Sequence, residues 1–300
     1  MIPFVPAPAF EYGRTDTVSP LIRRVIARNP GPFTFTGTGT YVVGRGHAGA
    51  GVAVIDPGPL DEAHLAALLA AVAGQTVSHV LVTHTHRDHA PLARPFAEAV
   101  GAPVLAAAPP ARTVHASATP DEEEDEDFRP DIVLTGGERL RGDGWTIGAM
   151  ATPGHASNHL AYVLEQENAL FSGDHVMGWS TTVVAPPDGD MAAYMASLDA
   201  VIARRFTTIW PTHGAPILEP GPFLEAYRAH RLMREAQVLA RVAAGDRRIA
   251  DMIPTLYAAV DSRLWPAASL SVWAHLIALE RAGRVRATPG PAIDADWTPA

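Results

Sequence analysis

The pattern of hydrophobic and polar positions predicts short strands alternating with helices over the first two thirds of the chain. Apolar runs such as 51–58 (GVAVIDPG) and 79–86 (HVLVTHTH) end in a turn or in polar residues, which indicates buried strands. Further strand-like runs lie at 40–44, 103–107, 131–134, 138–141, 145–151, 160–164, 169–172 and 207–210. Stretches rich in alanine and leucine predict helices at 60–73, 91–100 and 190–204. This alternation predicts an α/β core.

The pattern changes near residue 221. Three helices are predicted beyond it, at 222–244, 247–260 and 269–282, followed by the short basic turn GRVRATPG. We therefore expect two domains, 1–220 and 221–300. The proline-rich residues 1–32 are expected to run extended over the surface. Residues 108–131 combine proline, small polar residues and acids, so they predict an exposed insertion in which His115 is solvated.

Composition excludes several classes of protein. The 300 residues are 47% hydrophobic, which is ample for a core, and they include no cysteine, which excludes disulfide partners, thiolate metal sites and thiol catalysis. The first residues lack the basic start and apolar stretch of a secretory signal. No unbroken apolar run reaches the roughly 18 residues of a membrane span. We expect a cytoplasmic protein with no membrane contact.

One acidic run dominates the charge. The formal net charge is −9, from 23 basic and 32 acidic residues, and seven of the acids are consecutive at 121–127. Without those seven, 25 acids face 23 bases and the net charge is only −2. The balance argues against a broad basic surface for long nucleic acid but leaves room for a small basic groove.

The 13 histidines point to the chemistry. His84, His86 and His89 lie together with Asp88 directly after a predicted strand, and the end of a strand is a rigid place from which to present ligands. Imidazole and carboxylate groups suit zinc, iron or manganese. Three more candidate ligands each follow a predicted strand: His155 in TPGH, Asp174 in SGD and His213 in PTHG. Together these four clusters predict a metal site.

These motifs resemble the metallo-β-lactamase superfamily over residues 35–220, and Asp56 in IDPG matches the family's earlier strand-end aspartate. The resemblance implies a four-layer αββα sandwich with a binuclear metal site along one edge of its two sheets. It puts His84, His86 and His155 on one metal, puts Asp88, His89 and His213 on the other, and makes Asp174 the bridge. Two Zn²⁺ per chain are expected, with iron or manganese as alternatives.

The remaining candidates support the site in this interpretation. Asp88 is the catalytic candidate, both a ligand and the group that orients the attacking hydroxide. Asp56 would hold a ligating histidine or its loop, although an ordinary turn aspartate before Pro-Gly is nearly as good an explanation. His175 is expected to diverge from Asp174 and to support the site or the fold, and His159 is expected at the surface.

The sequence departs from the family's pattern at one point. Ala90-Pro91-Leu92 follow the ligand cluster, where family members usually have a small residue and two glycines. The helix after the site is therefore expected to start differently.

Softer motifs resemble the β-lactamase-like protein 2 branch of the family. They are NPGPFT at 29–34, GTGTYVVG at 37–44, STTV at 180–183, and the helix that contains Tyr227, His230-Arg231 and Arg234-Glu235. By this resemblance the C-terminal module, about 222–288, is a small winged-helix-like domain. The branch includes an endoribonuclease that acts on single-stranded RNA.

Three functions follow as hypotheses. The first is a dinuclear zinc phosphodiesterase that cleaves single-stranded RNA, with contacts from Trp265, Trp273 and the arginines at 247, 248, 263, 281, 284 and 286. The second is a hydrolase of a small thioester, ester or lactone, similar to glyoxalase II, with the C-terminal helices as a lid. The third is a diiron redox protein. No substrate-binding residue is assigned, and Leu264 with Trp265 could offer an interface for a homo-oligomer.

Overall fold

A computed structural model describes residues 1–110 and 125–300, and within them two mixed sheets stack face to face with helices outside. The first sheet comprises β1 (Thr15–Thr17), β2 (Ile22–Ile26), β3 (Gly39–Val43), β4 (Gly51–Ile55), β5 (Thr76–Leu81), β6 (Val104–Ala106) and β7 (Ile132–Val133), in that order. The second runs in the order β12-β11-β10-β9-β8 and comprises β8 (Arg139–Arg141), β9 (Thr146–Ala151), β10 (Leu160–Leu164), β11 (Ala169–Gly173) and β12 (Thr208–Pro211). The helices are α1 (Glu62–Ala71), α2 (Ala93–Val100), α3 (Met191–Arg204), α4 (Pro220–Ala243), α5 (Ile249–Leu256) and α6 (Trp265–Arg281), and a hairpin of β13 (Val285–Thr288) and β14 (Asp296–Pro299) ends the chain.

The central strands β3, β4 and β10 are apolar at nearly every position because both of their faces are covered. In β3, Tyr41 and Val43 enter the core between the sheets, whereas Val42 faces the helices α1 and α2. In β10, Tyr162 faces the inter-sheet core and Val163 faces the layer that contains α3. Since side chains alternate along a strand, a continuous apolar run fills two cores at once. The result is the four-layer αββα sandwich, as predicted.

Strand direction decides where the ligands meet. β4, β5 and β6 are parallel to one another. β11 and β12 are also parallel, and β9 points the same way because β10 is antiparallel to both β9 and β11. Parallel strands bring their carboxyl ends to the same edge, so the loops after β9, β11 and β12 leave the second sheet together, as those after β4 and β5 leave the first. Leu160 N donates a hydrogen bond to Thr83 O and joins the two sheets at that edge.

The C-terminal helices and hairpin share a separate core around the fully buried Trp297. Helix α4 belongs to both parts of the molecule. Its first half packs Phe223 and Tyr227 into the core of the second sheet, and its second half packs Val238 and Val242 around Trp297. A domain boundary near 220 stays a prediction, but the long helix that follows it lies in two cores. Among the described residues, no helix has the length and hydropathy needed to cross a membrane.

Several elements differ from the sequence prediction. β1 and β2 lie within residues 1–32, which were expected to be extended but not part of a sheet. The strand pattern of β2 was missed because Arg23 and Arg24 interrupt the apolar run IRRVI. Arg23 is buried through hydrogen bonds to Ala71 O and to the Gln75 side chain, which makes the arginine compatible with a strand. The expected turn GRVRATPG contains β13 of the terminal hairpin.

Helix boundaries also shifted. α2 begins at Ala93 rather than Pro91, and α6 begins at Trp265 rather than 269. α5 is shorter than the predicted helix at 247–260. His115 and the acids at 121–124 lie outside the described residues.

Candidate metal centre

All seven predicted ligands lie together at the edge where the strand ends meet, and each is at most 8% exposed. Their ligand-type atoms form two groups, in each of which the atoms lie within 4.8 Å of one another. The first group contains His84, His86 and His155, and the second contains Asp88, His89, Asp174 and His213. This division agrees with the sequence expectation. Asp174 also approaches the first group, because its Oδ2 lies 3.9 Å from His155 Nε2 while its Oδ1 lies 3.5 Å from His213 Nε2.

A tight turn gathers the ligands of the first sheet. After β5, the N–H groups of His89 and Ala90 both donate to His86 O and reverse the chain. Thr38 Oγ1 donates to Asp88 O, and Asp125 N donates to Thr85 O between two of the ligands. The end of the acidic run, residues 125–127, therefore starts beside the ligand loop.

Two glycines allow the second sheet to present its ligands. A Cβ on Gly154, beside His155, would lie 2.3 Å from the Tyr194 Cα, and the residue has φ +139°. A Cβ on Gly173, beside Asp174, would lie 2.6 Å from His159 Nε2, at φ +53°. Only glycine combines these backbone angles with such close approach.

Hydrogen bonds at Nδ1 orient four of the five histidines. His84 Nδ1 lies 3.0 Å from Thr83 Oγ1, and His155 Nδ1 lies 2.7 Å from Val183 O. His89 and His213 make the corresponding contacts to Asp56 Oδ2 at 3.0 Å and to Gly37 O at 3.2 Å. An Nδ1–H that donates in this way leaves the Nε2 lone pair free for a cation, which is the usual arrangement around a bound metal.

His86 is the exception, since it presents Nδ1. That nitrogen lies 3.0 Å from His84 Nε2 and 3.2 Å from His155 Nε2. Burial and the neighbouring histidines lower the pKa of His84 well below its usual value and that of His86 to about 3. Lone pairs on neutral rings therefore face one another, and a cation between them would turn this repulsion into attraction.

The second group carries the charge. His213 Nε2 lies 3.0 Å from Asp88 Oδ2, and His89 Nε2 lies 3.4 Å from the same oxygen. Neither nitrogen nor Asp174 Oδ1 makes a hydrogen bond of good geometry, although all three are buried. Ligands about 2.1 Å from a tetrahedral zinc are separated by about 3.4 Å, close to these distances. The donor set and its spacing therefore fit a metal pair.

The carboxylates hold protons on this second group in the absence of metal. Burial lowers the pKa of His213, but Asp174 and Asp88 outweigh it and raise that pKa to about 10. Burial is likewise outweighed at His89, where Asp88, Asp174 and Asp56 raise the pKa well above its usual value. Conversely, burial raises the pKa of Asp88, but His89 and His213 outweigh it, so the pKa is lowered and the carboxylate stays ionised.

Metal loading is therefore expected to release protons. At pH 7 the metal-free chain carries protonated His89 and His213, whose Nε2 atoms must be deprotonated to bind metal, so loading should release about two protons per chain. Affinity should fall as the pH falls, because protons compete more strongly. Calorimetric zinc titrations in buffers of different ionisation enthalpy measure the number. Release of no protons at pH 7 would contradict the charge state described for the second group.

Asp56 supports the centre and does more than stabilise a turn. Its buried carboxylate accepts from Thr83 N at 2.7 Å and from Thr83 Oγ1 at 2.8 Å. It also accepts from Thr212 Oγ1 at 3.0 Å, beside His213, and contacts His89 Nδ1. Thr83 follows the first sheet and Thr212 the second, so one side chain ties both sheets and two ligand loops together.

His159 was expected at the surface, and that prediction is wrong. The residue is 1% exposed and lies behind Asp174, whose backbone N–H donates to His159 Nε2 at 3.2 Å. Its Nδ1 contacts Thr152 Oγ1 at 2.8 Å. His159 directly precedes β10, and no local feature of the sequence indicates that it is buried. It supports the backbone of the central carboxylate.

His175 turns away from the ligand groups, as expected from strand alternation. It is fully buried against the Tyr194 ring, with centroids 4.9 Å apart, and neither ring nitrogen has a hydrogen-bond partner. Burial lowers its pKa to about 3, so the ring is neutral. Its role in support of the site stays a prediction.

The metal-ligand edge opens into a cavity of about 300 Å³. His86, Asp88, His155 and Asp174 form one end of it. The other walls come from the loop after β11, from α4 and α6, and from the N-terminal residues. These walls are mainly apolar and aromatic, and their lining residues include Phe4, Phe33, Met177, Trp179, Tyr257, Val260, Leu264, Ala267 and Ala268.

The fold and the ligand groups define a class of metal-dependent hydrolase, and comparison with known families agrees. The metallo-beta-lactamase superfamily pattern matches residues 34–213, and the beta-lactamase associated winged helix domain matches residues 249–297. The chain therefore belongs to the metallo-beta-lactamase superfamily and carries a C-terminal winged helix domain. It is a metallo-hydrolase whose histidine and aspartate groups are capable of binding a metal pair.

The chain is similar in sequence to several individual members of the family. An atrochrysone carboxyl ACP thioesterase of Claviceps purpurea (strain 20.1) is 31% identical over 231 residues, which cover 76% of this chain and 67% of that one. A beta-lactamase-like protein 2 homolog of Caenorhabditis elegans is 29% identical over 231 residues, which cover 75% of this chain and 72% of that one. The chain spans about two thirds of the length of several curated relatives, 64 to 67%.

The fold has close structural counterparts. A beta-lactamase domain protein from Burkholderia ambifaria superimposes with a TM-score of 0.78 at 23% identity, covering 96% of this chain and 94% of that one. This likeness extends through the C-terminal module and confirms the overall architecture.

Proposed function

We propose that this protein hydrolyses a small thioester or related ester at a dinuclear zinc centre. His84, His86 and His155 would hold one ion, Asp88, His89 and His213 would hold the other, and Asp174 would bridge them. Zinc is favoured over iron and manganese because most of the donors are imidazoles in a compact site. The observation that carries the proposal is the mainly apolar cavity that reaches the ligand groups.

The metal pair supplies, when bound, a Lewis acid for the scissile carbonyl and a lowered pKa for the attacking water. The chain's own residues do the rest. Asp88 stays ionised at the cavity floor, so its carboxylate accepts a proton from water at Oδ and orients the oxygen toward the carbonyl. The apolar walls exclude other water and hold the acyl group in place.

The small-molecule hypothesis is favoured over the ribonuclease hypothesis by the surroundings of the site. Three of the arginines proposed to contact RNA form ion pairs instead: Arg248 with Asp296, Arg263 with Asp261, and Arg281 with Asp190. The two tryptophans proposed for base stacking are partly buried and donate to backbone carbonyls. The similarity to a carboxyl ACP thioesterase supports a thioester substrate.

Parallel turnover assays test the proposal. The zinc-loaded protein is offered an aromatic acyl thioester of N-acetylcysteamine, the matching oxygen ester, a lactone, a β-lactam and labelled single-stranded RNA. We expect the thioester to be hydrolysed at least about tenfold more efficiently than any other compound, and hydrolysis to stop on chelation. RNA cleavage without thioester turnover would overturn the proposal in favour of the ribonuclease.

A further inference from the structure

The wall of the cavity formed by helix α4 is basic. Helix α4 presents His230, Arg231 and Arg234 to the cavity. Arg234 lies three residues after Arg231 and four after His230, so it is a neighbour of both on the helix surface. The acidic side chains among the described lining residues are Asp88 and Asp174, both of which belong to the ligand groups. The cavity therefore combines the ligand groups, apolar walls and a wall of fixed positive charge on α4.

Arg231 is buried without a carboxylate partner. It is only 3% exposed, and its guanidinium lies over the rings of Tyr194 and Tyr227 at 4.9 and 5.7 Å from their centroids. It donates through Nη2 to Thr182 O, while Nε has no hydrogen-bond partner. The aromatic rings and one carbonyl soften the cost of burying this charge but do not neutralise it.

Arg234 repeats the arrangement one turn later. Its guanidinium stacks on the Tyr257 ring at 4.2 Å, and Nη1 donates to Leu256 O at 2.6 Å. Its Nε is also buried without a partner, and no ion pair to either arginine occurs among residues 1–110 and 125–300. Two permanent charges therefore lie one turn apart, each with an unused donor.

The nearby imidazoles adjust to these charges rather than balance them. Burial, followed by Arg231 and Arg234, lowers the pKa of His230 to about 4. The same causes lower the pKa of buried His275 to about 3, and both of its ring nitrogens lack hydrogen-bond partners. Both rings are therefore neutral near pH 7, and they add donors without adding charge.

We propose that Arg231 and Arg234 form a subsite for a carboxylate on the substrate. The substrate class is then an acyl thioester whose apolar or aromatic body carries a free carboxylate. A guanidinium fork matches a carboxylate in shape and charge, and a desolvated pair of them recognises it strongly. This inference rests on the proposed function for the identity of the scissile bond, but not for the anion subsite itself.

A matched substrate pair tests the subsite by kinetics. N-acetylcysteamine half-thioesters of dicarboxylic acids, in a series of increasing chain length, are compared with the same compounds in which the free carboxylate is a methyl ester. We expect the best free acid to exceed its methyl ester by about 10- to 100-fold in kcat/KM, mainly through KM. Arg234→Gln should remove most of this preference.

Arg241→Gln is the matched control. Arg241 lies on the same helix and does not line the cavity. It forms a partly buried ion pair with Asp246, and its loss should change neither substrate's kinetics. Arg234→Lys should retain part of the preference, because it keeps the charge but not the fork. Equal turnover of acid and methyl ester by the wild-type protein, or a preference that survives Arg234→Gln, would overturn the subsite. So would a stronger preference for a terminal phosphate.

A binding measurement separates this inference from the proposed reaction. The thermal midpoint of the zinc-loaded protein is measured with 5-phenylvalerate and with the corresponding alcohol. We expect stabilisation by the carboxylate that Arg234→Gln loses and Arg241→Gln keeps. If no thioester is hydrolysed but this pattern holds, the proposed function fails and the anion subsite stands. If 5-phenylvalerate stabilises wild type and Arg234→Gln equally, the subsite fails.

Discussion

Replacement of Asp88 by asparagine is expected to lower kcat/KM of the metal-loaded protein by about 10²–10⁴-fold. The ionised carboxylate lies at the cavity floor, 3.0 Å from His213 Nε2, and is both a proposed ligand and the proposed proton acceptor for the attacking water. An amide of the same shape cannot accept that proton and binds zinc weakly. Turnover of the thioester, elemental zinc content and the thermal midpoint together measure the effect.

Asp199→Asn is the matched control for this substitution. Asp199 lies on α3 in an exposed ion pair with Arg228, away from the ligand groups, so its loss should leave activity and zinc content unchanged. If Asp88→Asn retained wild-type turnover with full zinc content, the assignment of Asp88 would be wrong. A loss of zinc from the site together with activity would still agree with a role as ligand.

Replacement of Asp56 by alanine is expected to lower the free energy of unfolding by about 3–5 kcal/mol and zinc affinity by about 10–100-fold. The change leaves the N–H and hydroxyl of Thr83 and the hydroxyl of Thr212 without their buried acceptor, and His89 loses the group that fixes its orientation. Urea unfolding measures the stability, and competition with a fluorescent chelator measures the affinity.

Asp61→Ala shows what an ordinary aspartate contributes. Asp61 caps α1 by accepting from His64 N at 2.9 Å, so its loss should cost only about 1 kcal/mol and leave zinc affinity unchanged. If Asp56→Ala behaved like Asp61→Ala, the carboxylate would be no more than the turn residue that the sequence also allowed.

The fold class was predictable because burial on both faces leaves a clear sequence signature. β3, β4 and β10 are apolar at nearly every position, and they lie between turns in the order that a layered α/β protein requires. β2 was missed because two arginines interrupt the pattern, and only tertiary contacts show how Arg23 is satisfied. The start of α2 was placed two residues early, at Pro91, and the start of α6 was placed too late although Pro266 lies in its first turn.

The candidate ligands themselves were also predictable, since each follows a predicted strand. Their division into two groups came from the resemblance to the family, and the strand directions that bring them to one edge are seen only in the structure. The supporting residues were less so. Asp56 was ambiguous because a turn aspartate and a buried acceptor have the same local sequence. His159 was misplaced because its burial depends on where the second sheet passes over the first. The basic wall of the cavity depends on how α4 packs against the sandwich, and no local sequence pattern predicts that packing.

Helix α4 links the two parts of the molecule and limits which changes of the C-terminal domain the fold can tolerate. A single continuous helix anchors its first half in the sandwich and its second half around Trp297, and it carries both Arg231 and Arg234 between the two anchors. Truncation near residue 220 would remove Phe223 from the core that covers the second sheet and would disrupt the core around Trp297. Exchange of the winged helix domain between relatives would have to preserve the helix phase, because a shift of one residue rotates both arginines by about 100° out of the cavity.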